Sequence, residues 1–216
     1  VRSHVPDIIV SDVMMPRMNG YELCKTIKED IAISHIPVIL LTAKDDKQSL
    51  ISGYKNGADG YLSKPFEVEM LMELIRNRLK NREYTKKRYL NAGLIPTPEE
   101  STISLTDETF LIKLNSIIQE NIDNTNLGIQ FICQEVGLGR SSLYNKLKAL
   151  TGMGANEYIS KLRIEKAITL ISGTDMPFSE IAEKTGFTTP SYFSTTFKQY
   201  TGETPSQYKE RKKKGL

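Results

Sequence analysis

Cysteine and histidine are scarce in this sequence, two of each in 216 residues, and that scarcity removes whole classes of chemistry. Cys24 and Cys133 stand far apart inside apolar helical patterns, the setting of reduced core thiols rather than of a disulfide or a metal pair. His4 and His35 each precede a strand-like run and match no metal-ligand spacing. No apolar stretch approaches the roughly 18–20 residues needed to cross a membrane, and no signal peptide opens the chain. A cytoplasmic chain without membrane contact is the expectation. Nor does one sign of charge dominate, since 29 Lys and Arg oppose 26 Asp and Glu. The small excess is uneven: residues 1–105 carry 15 basic against 14 acidic side chains, and residues 127–216 carry 13 against 8. A polyanionic partner would therefore meet the C-terminal half.

What is present divides the chain in two. Residues 7–11 (DIIVS), 37–43 (PVILLTA) and 60–64 (GYLSK) are short apolar runs without inside–outside alternation. Helical patterns separate them. GYELCKTIKED (20–30) turns Leu23, Cys24 and Ile27 inward. Asp45 or Asp46 can cap a helix through Asn56 that Gly57 closes, and EVEMLMELIRNRLKNR (67–82) is strongly periodic. Continuous apolar strands alternating with helices predict a parallel sheet covered on both faces, an α/β domain over residues 1–82. Residues 83–105, with Lys86–Arg88, Pro96, Pro98 and a Ser/Thr-rich stretch, read as a linker. From Thr106, the expected cap of a helix with Phe110, Leu111, Leu114, Ile117, Ile118 and Ile122 on one face, no strand pattern remains. Residues 106–216 are expected to be all-helical.

The helical half repeats itself. ICQEVGL (132–138) matches IAEKTGF (181–187) at an offset of 49, and LKALTGMGANEY (147–158) matches FKQYTGETPSQY (197–208) at an offset of 50. Such self-similarity marks one supersecondary unit used twice. In each copy a short helix meets a glycine, Gly137 or Gly186, then an apolar residue and a second helix, with Cys133 or Ala182 small enough for a close crossing. That is helix-turn-helix patterning, whose second helix enters a major groove. ANEYISKLRIEKAITLIS (155–172) reads as one long helix between the copies.

On these residues, with the Thr151–Gly152 and Thr201–Gly202 closures and the final Pro205 to Tyr208 motif, residues 107–213 resemble an AraC-type DNA-binding domain. The resemblance implies a double-stranded DNA partner and two reading helices in successive major grooves about 34 Å apart. By position the first offers Arg140, Ser141, Ser142, Tyr144, Asn145 and Lys146, and the second Thr189, Pro190, Ser191, Tyr192, Ser194, Thr195 and Lys198. Asn145 suits adenine, and Arg140 guanine or phosphate. Lys146, Lys148 and Lys198 suit phosphates. Leu143, Leu147, Phe193 and Phe197 are expected in the core, and the tail Arg211–Lys214 as a solvated end.

In the first half, ligand chemistry should gather beyond the carboxyl ends of the parallel strands. There stand Asp12, Thr42 and Lys64–Pro65. One acid, one hydroxyl and one ammonium suit a phosphoryl group with Mg²⁺ bridging the charge. The motifs DVMMPRMNG, LTA and YLSKPF resemble those of response-regulator receiver domains. That resemblance implies Asp12 as phosphoacceptor, the Met14 carbonyl as a Mg²⁺ ligand, and Thr42, Tyr61 and Lys64 as the phosphoryl and switch residues. A histidine kinase would be the phosphodonor and a homodimer the responding assembly. Receivers have a flavodoxin-like sheet of five strands with paired acids after the first, and the strands here match the third to fifth. The expectation is thus a receiver cut within its fold, with an incomplete metal site, slow phosphorylation and an exposed strand edge. It has no catalytic residue of its own. A receiver joined to an AraC-type output resembles the C-terminus of hybrid two-component sensors, whose parent chain can be a kinase anchored in the inner membrane. A separate response regulator is the alternative. A dehalogenase-type phosphatase would need an acid at position 14, where Met stands, and a ligand-sensing regulator would bring a β-barrel that residues 1–80 do not show.

Overall fold

The computed structural model describes residues 5–43, 57–91 and 104–214. They fall into two compact units, Val1–Ile112 with Ser141–Gly152, and Lys113–Arg140 with Met153–Leu216. The helix expected to end at Asn56 lies outside the described residues. Only its closing Gly57 is seen, at φ +80°.

In the first unit the three apolar runs become strands β1 (Ile9–Asp12), β2 (Val38–Thr42) and β3 (Gly60–Ser63). They pair in parallel in the order β1-β2-β3, with Asp12 opposite Leu41 and Thr42 opposite Ser63. Alternate residues of β2 serve opposite faces. Val38 and Leu40 join Cys24 and Ile27 of helix α1 (Gly20–Glu29) in one buried cluster. Ile39 is on the other face, where Gly60 leaves room for Leu74, whose side chain would lie 3.2 Å from an added Cβ. Leu74 belongs to helix α2 (Val68–Asn91). Both faces of the sheet are thus covered, as continuous apolar strands require. Along β1, Val10 remains 39% exposed.

Helix α2 runs nine residues past the expected boundary, through 83–91. Its polar C-terminal turns have no apolar periodicity, but Glu83 pairs with Lys86 at 2.5 Å and Arg82 donates to the Asp7 carbonyl at 2.6 Å. Local i,i+3 pairing and a tie to the segment before β1 carry the helix on. A second adjustment concerns helix α3 (Leu105–Glu120). Ser104, not Thr106, caps it by accepting from the Asp107 N–H at 3.2 Å. Thr106 instead donates to the Lys28 carbonyl at 3.0 Å.

The remaining helices are α4 (Ile129–Val136), α5 (Arg140–Thr151), α6 (Ala155–Gly173), α7 (Phe178–Lys184), α8 (Pro190–Thr201) and α9 (Pro205–Lys213). From Ser141 on, α5 belongs to the first unit, and the others belong to the second. The second unit has a core of Ile164, Ala167, Ile171, Ile181, Phe187, Phe193, Phe197 and Tyr208, from α6 to α9. Its rings meet edge-on, Phe193 to Phe197 at 5.7 Å and Phe197 to Tyr208 at 5.6 Å, an arrangement aromatic quadrupoles favour. Of the residues expected inward on α6, Tyr158, Ile159, Leu162 and Ala167 are buried, while Leu170 is only half-buried. No helix among the described residues is long and apolar enough to cross a membrane.

Candidate phosphoryl site and nucleic-acid interface

At the carboxyl ends of the strands the structure brings Asp12 and Lys64 together. The Lys64 ammonium contacts Asp12 Oδ2 directly, and the Met14 N–H donates to Oδ1 at 3.1 Å. The Lys64 hydrogen bond, helped by the Met14 amide, holds the Asp12 carboxyl below the ordinary carboxylate range. The acid is therefore an anion at neutral pH. Lys64 precedes a cis peptide to Pro65, and its N–H donates to the Thr42 carbonyl at 2.7 Å, which ties the end of β3 to that of β2. Thr42 is buried at the same edge. Tyr61 pairs with Leu40 across the sheet and packs on its α1-facing side.

One contributor escaped the sequence reading. Gly20 opens α1 so close to the strand end that an added Cβ would lie 2.5 Å from the Asp12 carbonyl and 2.9 Å from Val13 Cα. A side chain there would push the helix off the site. The M-N-G motif held the signal, since Asn19 caps α1 by accepting from Glu22 N at 2.9 Å. Mg²⁺ fits this edge poorly. Asp12 offers one oxygen not engaged by Lys64, the Met14 carbonyl could add a second donor, and no cluster of three His, Cys, Asp or Glu is placed for a metal among the described residues. Magnesium usually takes one or two carboxylates with near-ideal octahedral geometry.

The second helix-turn-helix copy is formed within the second unit. Thr185 caps the end of α7, Gly186 takes φ +70°, and Phe187 anchors the turn with its N–H donating to the Ala182 carbonyl at 2.9 Å. An added Cβ at Gly186 would lie 2.3 Å from the Ile122 carbonyl, so glycine is required by conformation and by space. Thr189 caps α8 by accepting from Tyr192 N at 3.2 Å, and Pro190 starts it without leaving an amide unmatched. Phe193 and Phe197 are fully buried. Pro190, Ser191, Tyr192, Thr195 and Lys198 are exposed, with Ser194 half-buried beside them.

On α5, Arg140, Ser141, Tyr144 and Lys148 are exposed, Ser142 and Asn145 half-buried, and Leu143 and Leu147 buried. Arg140 donates to Gln130 Oε1 at 3.2 Å. Lys146 corrects the expectation. It is 0% exposed, paired with Asp107, donating to Ser34 Oγ at 2.8 Å and 5.0 Å from the centre of the Phe110 ring. Ser34 also donates to Asp107 at 2.7 Å. Burial works to raise the Asp107 carboxyl, but the Lys146 charge and the hydrogen bonds from Lys146, Ser34 and Ser104 hold it below the usual range. A charge so enclosed is not presented to a phosphate. The tail residues 211–214 are exposed, as a solvated end should be, though Arg211 donates to Glu203 at 2.8 Å and lies over the Tyr208 ring at 5.0 Å. Both cysteines are free thiols, and burial pushes Cys24 up to about 11.

Residues 1–76 match the family model of the response regulator receiver domain, and residues 132–211 match that of a helix-turn-helix domain. Histidine kinase P4 of Formosa agariphila is 42% identical over 97% of this chain, which spans 15% of that protein. The probable transcriptional regulator ycf29 of Pyropia yezoensis is 32% identical over 70% of this chain and 73% of its own. Among solved structures, the C-terminal domain of the two-component response regulator yesN from Fusobacterium nucleatum is 31% identical, with a TM-score of 0.42, over 44% of this chain and 93% of that one. With one family model on each half and a relative matched along most of both lengths, the chain belongs to the response regulators, a receiver domain followed by an AraC-type helix-turn-helix domain.

Proposed function

We propose that this chain is the DNA-binding output of a two-component phosphorelay, regulating transcription through the phosphorylation state of Asp12. The observation that carries the reading is α8. One face anchors it with Phe193 and Phe197, and the other exposes Ser191, Tyr192, Thr195 and Lys198, a tethered helix with hydrogen-bonding groups outward. Arg140, Tyr144, Asn145 and Lys148 on α5 supply a second set of groups for duplex DNA. At the receiver edge, an ionised Asp12 is a nucleophile for the phosphorus of a phosphohistidine on the kinase. The acyl phosphate forms as the P–N bond breaks, with the Lys64 ammonium beside Asp12 and Thr42 at the end of the neighbouring strand as the groups to bind the phosphoryl oxygens.

The hybrid arrangement, with kinase and output in one polypeptide, is supported by the Formosa protein, which is named a histidine kinase and matches nearly the whole chain. A stand-alone response regulator in the cytoplasm, acting as a homodimer, is the second reading, favoured by the coverage of ycf29. Kinase motifs encoded directly upstream would separate the two. Selection of bound sequences from a random duplex pool tests the reading itself. A reproducible motif is expected, and its enrichment should fall when Asn145→Ala or Tyr192→Ala protein is used. A pool that stays random at low ionic strength rejects it.

A further inference from the structure

Beneath the opposite edge of the sheet is a cavity of about 220 Å³ within the first unit. Asp59, which immediately precedes β3 and accepts from the Val38 N–H at 2.8 Å, marks this as the amino-terminal end of β2 and β3. Asp12, Thr42 and Lys64 stand at the carboxyl ends, so the cavity is distinct from the phosphoryl site. Lys28, His35, Asp59, Arg78, Arg82 and Asp107 line it.

The charges of this lining do not cancel. Lys28 is matched by Asp59 at 2.7 Å, and Asp107 by Lys146. Both lining carboxylates are therefore already neutralised. Arg82 donates to the Asp7 carbonyl and faces the Asp7 carboxylate, and Arg78 has its Nε buried and without a hydrogen-bond partner among the described residues. His35 is only 7% exposed, and its Nδ1 is likewise buried without a partner among the described residues. Buried polar atoms are nearly always satisfied in folded proteins, so two unmatched nitrogens around one cavity need an explanation. With the Asp7 carboxylate set against Arg82, the Arg78 guanidinium stands beyond the matched pairs and gives the space a positive potential, and guanidinium geometry suits the paired oxygens of phosphate and carboxylate. The volume is below the roughly 300–1,000 Å³ of ordinary small-molecule pockets, too small for a nucleotide but sufficient for a compact anion.

We propose that this cavity is a binding site for a small oxyanion, a phosphate or a carboxylate, held by Arg78 and Arg82 with His35 donating from Nδ1. Burial, with the charges of Lys146, Arg82 and Lys28 outweighing that of Asp107, keeps the His35 imidazole neutral, lowered to about 4. A neutral ring can still donate from Nδ1 when that nitrogen carries the proton. Ala149 and Leu150 of α5 also border the space, as does Asp107, which fixes Lys146. An occupant would sit beside the contact that holds α5.

The test titrates inorganic phosphate into the full chain labelled at its histidines, at constant ionic strength set with chloride, and repeats the titration with malonate. The ring signals of His35 should move along a saturating curve with at least one of the two anions while those of His4 follow the chloride control. Saturation by phosphate alone identifies a phosphate site, by malonate alone a carboxylate site, and by both a general oxyanion site. Arg78→Gln should weaken the affinity at least tenfold, with the circular dichroism of the folded protein retained. Should that variant fail to fold, the contrast between His35 and His4 in the wild type decides. Linear shifts equal to those with chloride, or an affinity unchanged in folded Arg78→Gln, would mean that the cavity holds water only and would overturn the proposal.

Discussion

Lys146 shows how far residue type can mislead when its partner is distant in sequence. It sits on α5 between exposed Tyr144 and Lys148, yet its ammonium is enclosed by Asp107, Ser34 and the Phe110 ring. Breaking such a pair from one side leaves a buried charge uncompensated, typically at a cost of about 3–5 kcal/mol. Asp107→Ala should therefore destabilise the protein by roughly that amount in urea denaturation. Asp107→Leu combined with Lys146→Met should recover most of the loss, because two apolar side chains need no mutual neutralisation. If the single variant costs under about 1 kcal/mol, as an exposed pair would, the enclosure is not formed in solution. Nothing local could have revealed it. Ser34 is 73 residues from Asp107 and 112 from Lys146, and a three-residue polar cluster leaves no period. Asp12, by contrast, was legible, because an acid closing an apolar strand declares its place before the structure is known.

The elements follow the internal repeat closely. α5 and α8 start at 140 and 190 and end at 151 and 201, and α6 and α9 start at 155 and 205, all at the offset of 50 seen in the sequence. The copies share their capping logic too. Glu157 reaches back to the Gly154 N–H at 3.3 Å, as Gln207 does to Thr204 at 2.9 Å, although Gly154, without a side chain, supplies only half of a capping box. What the repeat hid is that its two turn glycines differ. Both take φ near +70°, but an added Cβ at Gly137 would meet nothing within 4 Å, whereas at Gly186 it would strike the Ile122 carbonyl and the Arg163 guanidinium. Gly137→Ala should cost about 1–2 kcal/mol for the left-handed backbone alone. Gly186→Ala adds a steric penalty of about 1–3 kcal/mol. Denaturation of the two variants side by side should show the second to be the more damaging, and equal losses would contradict the close packing at Gly186. The extent of α2 was illegible for a related reason. Its last turns are held by polar contacts such as Glu83 with Lys86, and polar helix and polar linker share a composition.

At the scale of the whole molecule, charge is the property that bears on DNA. A net charge of +3 is modest, so affinity must come from a few placed cations rather than from a general field. Each phosphate neutralised releases counterions, and the logarithm of the binding constant falls with that of salt with a slope of about −0.9 per contact. Lys148 and Lys198 are exposed on α5 and α8. Replacing either with Gln should make the slope shallower by about one, measured by fluorescence anisotropy on a selected duplex. Lys146→Met should leave the slope unchanged, whatever it does to stability, because its charge is already neutralised by Asp107. The two kinds of lysine differ in burial and not in residue type, which is why the sequence grouped them together. A slope reduced by one in Lys146→Met as well would show that DNA draws this side chain out of its enclosure. Asp107 would then compete with DNA for the same cation, and Asp107→Asn should tighten binding.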